Sequence, residues 1–307
     1  MPCYHPIKAY KSKNLNPKTG KAIVTFKPGP NTKGSLQVPC GQCIGCRLER
    51  SRIWAVRCMH EAQMHKSNYF LTLTYDDDNI PKDNSLNKRD LQLFYKRLRK
   101  RKGSIRYYSC GEYGDQTGRP HYHAIVFGLE ISDKQHYKRA GDNYLYNSEE
   151  LTEIWGLGHV VVGDVTFESC AYTARYIMKK QLGRDAWEKY CTIDKSTGEI
   201  TQEVEPEFTT MSRRPGIGSK WYRKYGRDIF GAGQNGTCVI RGGIEVKPPR
   251  FYEKLLEEKN PEVLEYFKKM RKEEAELRQD DNTLARLRVK EKIKIQQTST
   301  LFRNGVE

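Results

Sequence analysis

The sequence predicts an α+β protein with a mixed sheet and flanking helices. Segments with the two-residue alternation of a strand and segments with helical spacing follow one another in mixed order. They do not form the regular strand–helix–strand units that a doubly wound parallel sheet requires. A short connection rich in glycine and proline, residues 113–120, also joins two strand-like segments in the manner of a hairpin.

The N-terminal third contains two recognisable elements. Residues 1–50 show little periodicity, so no regular element is predicted there. A helix is predicted from about Ile53 to Met64, where apolar and basic positions interleave at helical spacing. The segment Tyr69–Tyr75 predicts a strand, because its leucines and threonines alternate between the two faces.

The next predicted helix begins after Asn87, whose side chain can cap the first turn. Its opposite face, residues 96–102, is strongly basic. The apolar positions recur at helical spacing: Leu91, Phe94, Tyr95 and Leu98. Further strands are predicted at residues 104–111, 121–129 and 159–165, followed by a helix at about 168–181.

The C-terminal part has weaker patterns. Residues 192–210 resemble an exposed loop or hairpin, and residues 250–297 are densely charged with the spacing of one or two exposed helices. Three segments follow from these observations. They are an N-terminal cysteine-rich arm with a basic helix (1–66), a central domain that holds most of the predicted strands (67–230) and a charged helical extension (231–307).

The composition indicates a polyanionic partner and excludes a membrane-spanning protein. Of 307 residues, 54 are lysine or arginine and 38 are aspartate or glutamate, so the net charge is +16. That excess favours nucleic acid over a membrane surface. No stretch approaches the ~20 apolar residues of a membrane span, and the N-terminus lacks a signal-peptide core. We therefore expect a protein of the reducing cytoplasm, whose nine cysteines are thiols or metal ligands.

A His-x-His pair is the first candidate site. On a strand, His121 and His123 project from one face with their Cα atoms about 7 Å apart. Glu112 ends the preceding strand and reaches the same cation if the two strands pair antiparallel, although Asp115 is an alternative third ligand. Two imidazoles and one carboxylate leave positions open for a phosphate oxygen. Histidine ligands favour Mn²⁺ or Zn²⁺, whereas cellular abundance favours Mg²⁺. A histidine pair buried in the core is the competing interpretation.

Two tyrosines are the second candidate site. Tyr172 and Tyr176 are four residues apart and lie on one face of a helix. A phenol is a poor nucleophile until a cation stabilises its phenolate, and Arg175 and Lys179 are close enough in sequence to do so. Taken alone, this spacing is more typical of core packing than of catalysis.

Three regularly spaced cysteines, Cys40, Cys43 and Cys46, predict a structural metal site. A tetrahedral zinc site needs a fourth donor, for which Cys3 is the first candidate and His5 the second. An iron–sulfur cluster and unligated thiols are the alternatives.

The order and detail of these motifs resemble the replication initiation proteins of microviruses, particularly the gokushovirus branch, within the HUH rolling-circle endonucleases. The resemblance spans roughly residues 1–230. It is carried by Leu-Thr-Leu-Thr (71–74), Gly-Glu-Tyr-Gly (111–114), Gly-Arg-Pro-His-Tyr-His-Ala-Ile-Val-Phe-Gly (118–128), Tyr-Thr-Ala-Arg-Tyr-Ile-Met-Lys-Lys (172–180), Val-Pro-Cys-Gly-Gln-Cys-Ile-Gly-Cys (38–46) and Ser-Arg-Arg-Pro-Gly-Ile-Gly (212–218).

The resemblance implies an antiparallel sheet with a metal site on its central strands. It implies that His121 and His123 are metal ligands with Glu112 as the third, and that Tyr172 and Tyr176 are paired nucleophiles beside Lys179. One tyrosine attacks a phosphodiester of the phage origin in single-stranded or supercoiled DNA, leaving a 5′-phosphotyrosine and a 3′-OH that primes synthesis. Host helicase and DNA polymerase in the bacterial cytoplasm are the implied partners.

Two basic segments are the predicted DNA contacts: the helix face of residues 96–102 and the loop of residues 212–220. For each of them, a solvated charged surface is the alternative interpretation. Trp221 follows the second segment and offers a ring on which an unpaired base can stack. The predicted DNA-binding residues are Arg97, Lys100, Arg175, Arg213, Arg214, Lys220 and Trp221. An HUH transposase or relaxase is the alternative enzyme, and a zinc-stabilised DNA-binding protein whose histidines and tyrosines only pack is the non-enzymatic alternative.

Overall fold

The computed structural model of the protein describes residues 3–17, 19–141, 143–175, 185–194, 196–197 and 199–303. The chain divides into two compact units. One contains the described residues of 1–50 and 270–305, and the other contains those of 51–269.

The regular elements confirm the predicted α+β class. The strands are β1 (Ile7–Leu15), β2 (Ala22–Thr25), β3 (Thr32–Val38), β4 (Asn68–Tyr75), β5 (Arg106–Tyr113), β6 (Pro120–Phe127), β7 (Gln135–Ala140), β8 (Asn143–Asn147), β9 (Gly158–Asp164), β10 (Cys191–Ile193), β11 (Ile200–Glu203), β12 (Phe208–Met211), β13 (Cys238–Val239) and β14 (Glu245–Val246). The helices are α1 (Ile44–Ala62), α2 (Lys88–Lys102), α3 (Glu149–Trp155), α4 (Phe167–Arg175), α5 (Asp185–Tyr190), α6 (Ser219–Tyr225), α7 (Arg227–Phe230), α8 (Arg250–Glu257), α9 (Pro261–Leu277) and α10 (Leu284–Arg303).

The larger unit is built on a seven-stranded sheet in the order β12-β5-β6-β4-β9-β8-β7. Every neighbouring pair in this sheet is antiparallel. Strands β5 and β6 form the predicted hairpin, and their register sets Glu112 opposite His121 and Cys110 opposite His123. Gly118 in the connection has φ of +63°, a left-handed conformation that favours glycine. The turn therefore fixes the register on which the candidate site depends.

Each face of the sheet carries its own hydrophobic core. The alternation predicted for β4 is confirmed, because Leu71 and Leu73 are fully buried on one face, where they pack with Phe94 of α2 and Trp155 of α3. The other face is covered by α1 and α4, which bury a second cluster: Ala55, Cys58, Tyr108, Ile125, Phe127, Cys170, Ala174 and Ile217. A third cluster joins α6–α9 through Tyr222, Phe230, Tyr252, Leu256, Leu264 and Phe267.

Several elements differ from the prediction. Residues 1–50 were expected to be irregular, yet they contain the antiparallel sheet β2-β1-β3 and the beginning of α1, which starts at Ile44 rather than near Ile53. Their strands are mostly exposed, so burial imposes no simple alternation on the sequence. Helix α3 and the hairpin β7–β8 were not predicted. The predicted helix at 168–181 is described from Phe167 to Arg175, and the rest of it lies outside the described residues.

Candidate functional site

Glu112, His121 and His123 converge on one side of the central sheet. The Glu112 carboxylate is 2% exposed, and its Oε1 lies 2.7 Å from Nε2 of His121 and 3.0 Å from Nε2 of His123. One nitrogen or oxygen atom from each of the three residues lies within 4.8 Å of the others. The structure therefore brings together the three residues that the sequence predicted, with Glu112 rather than Asp115 in the group.

The hydrogen bonds of the two rings determine which nitrogen faces the centre. Nδ1 of His121 lies 3.1 Å from the backbone oxygen of Arg119, which can only accept, so this nitrogen carries a hydrogen. In the neutral ring Nε2 then presents its lone pair, and in the protonated ring Nε2 donates to Glu112. Nδ1 of His123 lies 3.1 Å from Oγ1 of Thr72 on β4. Both Nε2 atoms thus point at the carboxylate in the orientation of metal-binding histidines.

The centre needs a positive charge. A neutral His121 with its Nδ1 protonated would place a nitrogen lone pair 2.7 Å from a carboxylate oxygen, and two lone pairs repel at that distance. A proton on the ring or a cation between the ligands removes the repulsion. Oε2 of Glu112 is buried and has no hydrogen-bond partner among the described residues. A buried acceptor without a partner is costly, and a metal ion satisfies it together with both imidazoles.

The local charges keep Glu112 ionised. Burial raises the pKa of its carboxyl, but the hydrogen bonds from His121 and His123 outweigh burial and hold the pKa below its usual value. An ionised carboxylate and two neutral imidazoles form a donor set that divalent cations such as Mn²⁺ and Mg²⁺ accept. The residues present therefore fit a bound divalent cation.

Tyr172 lies next to this centre. It projects from α4, and its ring centroid lies 5.2 Å from that of His123 in an edge-on arrangement. Phe70 of β4 stacks on the same histidine, with centroids 5.3 Å apart, and also contacts Tyr172 edge-on at 6.3 Å. The alternation of β4 puts Phe70 on this face, a signal the sequence contained but that was not assigned to the site. Tyr176 and Lys179 lie outside the described residues.

The four predicted cysteines also converge. The sulfur atoms of Cys3, Cys40, Cys43 and Cys46 lie within 4.8 Å of one another, and those of Cys3 and Cys43 are 3.9 Å apart. A tetrahedral zinc with Zn–S bonds of about 2.3 Å would require sulfur–sulfur distances of about 3.8 Å. His5 does not join the group, because its Nε2 lies 2.6 Å from Glu291.

Backbone amides support the cysteine sulfurs. The amides of Cys40 and Cys43 donate to the sulfurs of Cys3 and Cys40 at 3.2 and 3.3 Å. Burial raises the pKa of the Cys43 thiol, but hydrogen bonds from the backbone of Cys46 and Tyr4 lower it to about 7. These bonds favour the thiolate of Cys43, the form that binds metal, whereas burial raises the pKa of the Cys3 and Cys46 thiols. A metal centre is supported by the convergence of the four sulfurs. This group is therefore a second candidate metal centre.

The predicted DNA-binding residues of the α2 and α4 region differ in their availability. Lys100 is exposed on α2, and Arg175 is half-buried at the described end of α4. The guanidinium of Arg97 donates to the backbone oxygens of Ile154 and Trp155, both at 2.6 Å, and so completes the C-terminal turn of α3. Arg97 thus has a structural role that the sequence pattern did not indicate.

The loop of residues 212–218 presents Arg213 and Arg214 to solvent. A buried carboxylate holds its base, because Glu61 of α1 accepts from the backbone amide of Gly218 at 2.6 Å and from Arg106 at 2.5 Å. Arg106 in turn donates to the backbone oxygen of Pro215 at 2.6 Å.

Lys220 and Trp221 follow this loop on α6. Lys220 is exposed. Trp221 stacks on the buried His60 with ring centroids 3.5 Å apart, and its Nε1 donates to Gln63. One face of the indole ring is therefore occupied within the protein, and Tyr225 also contacts the indole, with ring centroids 5.3 Å apart.

The fold and the site together define a class of protein. Its members have an antiparallel sheet whose central strands carry a candidate metal site of two histidines and one carboxylate, with a tyrosine beside it. Residues 68–181, which contain this centre, match the family model described as replication-associated protein ORF2/G2P. No solved structure is significantly similar to the chain.

Three phage proteins are similar over most of the chain. The replication-associated protein VP4 of Bdellovibrio phage phiMH2K is 34% identical over 90% of this chain and 84% of its own length. The replication-associated protein ORF2 of Spiroplasma virus 4 is 28% identical over 90% and 87%. The replication-associated protein ORF4 of Chlamydia phage 1 is 31% identical over 78% and 59%. The chain belongs to this family of phage replication-associated proteins, which confirms the microvirus-type resemblance of its motifs.

Proposed function

We propose that the protein initiates rolling-circle replication by nicking and rejoining phage origin DNA through a tyrosine. The observation that carries the proposal is the position of Tyr172 beside His123, at the edge of a centre whose three ligands fit a divalent cation. The similarity to phage replication-associated proteins supports DNA as the substrate.

The proposed reaction is a transesterification that balances without a redox partner. The Tyr172 oxygen forms a bond to the scissile phosphorus, and the bond from phosphorus to the 3′ oxygen breaks. The phenolic proton passes to solvent, and the 3′ oxygen takes up a proton to become the free 3′-OH. The reverse reaction rejoins the strand. A bound Mg²⁺ or Mn²⁺ would polarise a phosphate oxygen and offset the charge that develops on it.

The remaining residues of the tyrosine motif have proposed roles that follow from the family resemblance. One of the two tyrosines, Tyr172 or Tyr176, holds the end of the first cut strand. The other is the second nucleophile and cuts the regenerated origin. Lys179 and Arg175 stabilise the phenolate or the attacked phosphate. In the bacterial cytoplasm, host DNA polymerase would extend the 3′-OH while a host helicase separates the strands. No described helix has both the length and the apolarity to cross a membrane.

A denaturing gel tests the nicking proposal. The protein is incubated with single-stranded origin DNA and Mn²⁺ or Mg²⁺, and a covalent protein–DNA adduct is expected. Single Tyr172→Phe and Tyr176→Phe variants identify which tyrosine attacks first, and Tyr137→Phe, an exposed tyrosine of β7, is the matched control. Absence of an adduct with any divalent metal would refute the proposal and favour a non-catalytic DNA-binding protein.

A transposase or relaxase with the same chemistry is the alternative enzyme. It predicts adduct formation on the ends of a mobile element or on a transfer origin rather than on a phage origin. The names of the similar phage proteins favour replication.

We also propose that the four-cysteine group holds a structural Zn²⁺ rather than an iron–sulfur cluster. The sulfur–sulfur distance of 3.9 Å and the presence of Cys3 as a fourth donor support zinc. Metal analysis of purified protein should find one zinc per chain, which Cys40→Ser removes and Cys191→Ser, a half-buried cysteine outside the group, retains. Iron with visible absorbance, or no metal, would contradict the zinc assignment.

A further inference from the structure

Positive charge is concentrated at the N-terminus. Residues 1–48 hold seven lysines, one arginine and no aspartate or glutamate, so about a sixth of the chain supplies half of the net charge of +16. The described part of this segment forms the sheet β2-β1-β3 and the cysteine group. It belongs to the compact unit that does not contain Glu112, His121 and His123.

Three lysines of this sheet lie on one shallow concave surface. Lys11 of β1 and Lys33 of β3 are direct cross-strand partners, and Lys13 follows two residues along β1. The concavity has a volume of about 570 Å³ and is lined by Lys11, Ser12, Lys13, Leu15, Ala22, Lys33, Gly34, Ser35 and Leu36. Lys13 donates to the backbone oxygen of Pro30 at 3.3 Å, and within the described part of the chain none of the three lysines has a carboxylate partner.

This arrangement is unfavourable unless an anion binds to it. Like charges directly opposite each other on neighbouring strands destabilise a sheet, and an anion between them reverses the sign of the interaction. Ammonium groups with adjacent serine hydroxyls are phosphate-binding groups. A ligand with regularly spaced phosphates fits a row of lysines on exposed strands better than a single small anion does.

We propose that the surface of Lys11, Lys13 and Lys33 binds the phosphate backbone of DNA without reading its sequence. It is a DNA-binding surface additional to the residues predicted from the sequence, and it adds affinity for DNA of any sequence. The proposal rests on the proposed function only in taking DNA as the partner. An acidic protein is the alternative ligand for the same charges, and it predicts that DNA binding does not depend on these lysines.

The salt dependence of DNA binding tests this surface. Affinity for labelled DNA of non-origin sequence is measured by fluorescence anisotropy over a range of salt concentrations, with the full-length zinc-loaded protein and no added Mg²⁺ or Mn²⁺. For duplex DNA, the slope of log K against log salt should become shallower by about 2 to 3 in the triple variant Lys11→Gln, Lys13→Gln, Lys33→Gln, because each lost phosphate contact removes about 0.9.

The matched control replaces three exposed lysines of the other unit, Lys254, Lys259 and Lys269, by glutamine. The triple variant and the control lose the same charge, so an equal change of slope in both, or no change in either, would overturn the proposal. If the triple variant does not fold, as judged by circular dichroism and zinc content, Lys11→Gln and Lys33→Gln are measured singly, each with an expected change of about 0.9.

The adduct assay separates this proposal from the proposed function. At saturating concentrations of a short origin oligonucleotide, the triple variant should form adduct as the unchanged protein does. If the unchanged protein forms no adduct but the slope difference persists, the nicking proposal fails and the DNA-binding surface stands. If the unchanged protein forms adduct but the triple variant and the control have equal slopes, the nicking proposal stands and the proposal of the lysine surface fails.

Discussion

Glu112 is the residue on which the candidate metal centre depends. Its carboxylate is 2% exposed, one oxygen contacts both imidazoles, and the other has no hydrogen-bond partner among the described residues. A buried carboxylate costs several kcal/mol unless its charge and lone pairs are compensated. A cation shared with His121 and His123 would provide that compensation, and we therefore propose that Glu112 is a ligand and not a packing residue.

Thr72 should orient His123 for metal binding, because its Oγ1 contacts Nδ1 of the ring at 3.1 Å. Replacement by valine removes the hydroxyl with little change of shape, and we expect metal affinity to fall about 10-fold or more. Thr74→Val is the matched control, since Thr74 lies on the same face of β4 and its Oγ1 contacts the backbone oxygen of His159. Titration with Mn²⁺ measures the metal affinity of both variants, and equal Mn²⁺ affinities of Thr72→Val and Thr74→Val would contradict the role of Thr72.

His60 should make folding stability depend on pH. It is 5% exposed, contacts the Tyr252 hydroxyl at 2.9 Å, and burial lowers its pKa from 6.5 to about 4. Between pH 6.5 and about 4, His60 is therefore protonated in the unfolded chain but neutral in the folded chain. The contribution of neutral His60 to the free energy of unfolding is thus fully present above pH 6.5 and is lost on acidification. Between pH 6.5 and 5 the loss should be about 1.5 kcal/mol.

Chemical denaturation of the unchanged protein and of His60→Gln at both pH values measures this contribution. The variant should lose less stability than the unchanged protein over the same interval. A pH dependence of equal size in the two proteins would show that His60 does not carry it.

The residues of the site were predictable to different degrees. A two-residue spacing on a strand placed His121 and His123 together, and the hairpin register placed Glu112 opposite His121. Phe70 and Thr72 lie in the predicted strand but were not assigned to the site, because a single sequence does not reveal which neighbouring strand lies beside β6.

At the scale of elements, α1 connects the sheet to the loop of residues 212–218. Its buried Glu61 accepts hydrogen bonds from Arg106 of β5 and from the backbone of Gly218. Burial raises the pKa of Glu61, but the hydrogen bonds from His65, Gly218 and Arg106 outweigh burial and lower it. The loop that presents Arg213 and Arg214 is therefore fixed by an ionised carboxylate from a distant part of the sequence.

Glu61→Gln should destabilise the protein by about 3–5 kcal/mol, because it leaves Arg106, whose side chain is only 11% exposed, without its counter-charge. Glu153→Gln is the matched control, since Glu153 forms an exposed pair with Arg101 whose loss should cost about 1 kcal/mol or less. Denaturant unfolding curves of the two variants provide the comparison, and similar midpoints would contradict the role assigned to Glu61.

Burial explains which elements the sequence predicted. Helix α2 was predicted because its buried residues have helical spacing and Asn87 caps it, as its side chain accepts from the amide of Arg89. Strands β1–β3 were missed because they are mostly exposed. Helix α3 was missed because seven residues are too few for a clear periodicity.

At the scale of the whole molecule, the chain combines a metal-type centre in one compact unit with a cysteine group and a basic sheet in the other. The net charge of +16 predicted a polyanionic partner, but composition alone did not show that half of this charge lies in residues 1–48 of the chain. The three-segment division at residues 66 and 230 stays a prediction. The family resemblance was confirmed because its motifs are local in sequence, whereas the pairing of distant segments required the structure.

The central claim is that Glu112, His121 and His123 form one divalent-cation site, and Mn²⁺ binding to the zinc-loaded protein tests it most directly. Electron paramagnetic resonance should count one bound Mn²⁺ per chain, with nitrogen couplings from the imidazoles. Glu112→Gln should weaken binding about 100-fold or more, since it removes a ligand rather than its support, while Asp115→Asn, in the same connection, should leave binding unchanged. Unaltered Mn²⁺ affinity in Glu112→Gln, or the absence of nitrogen coupling, would contradict the claim.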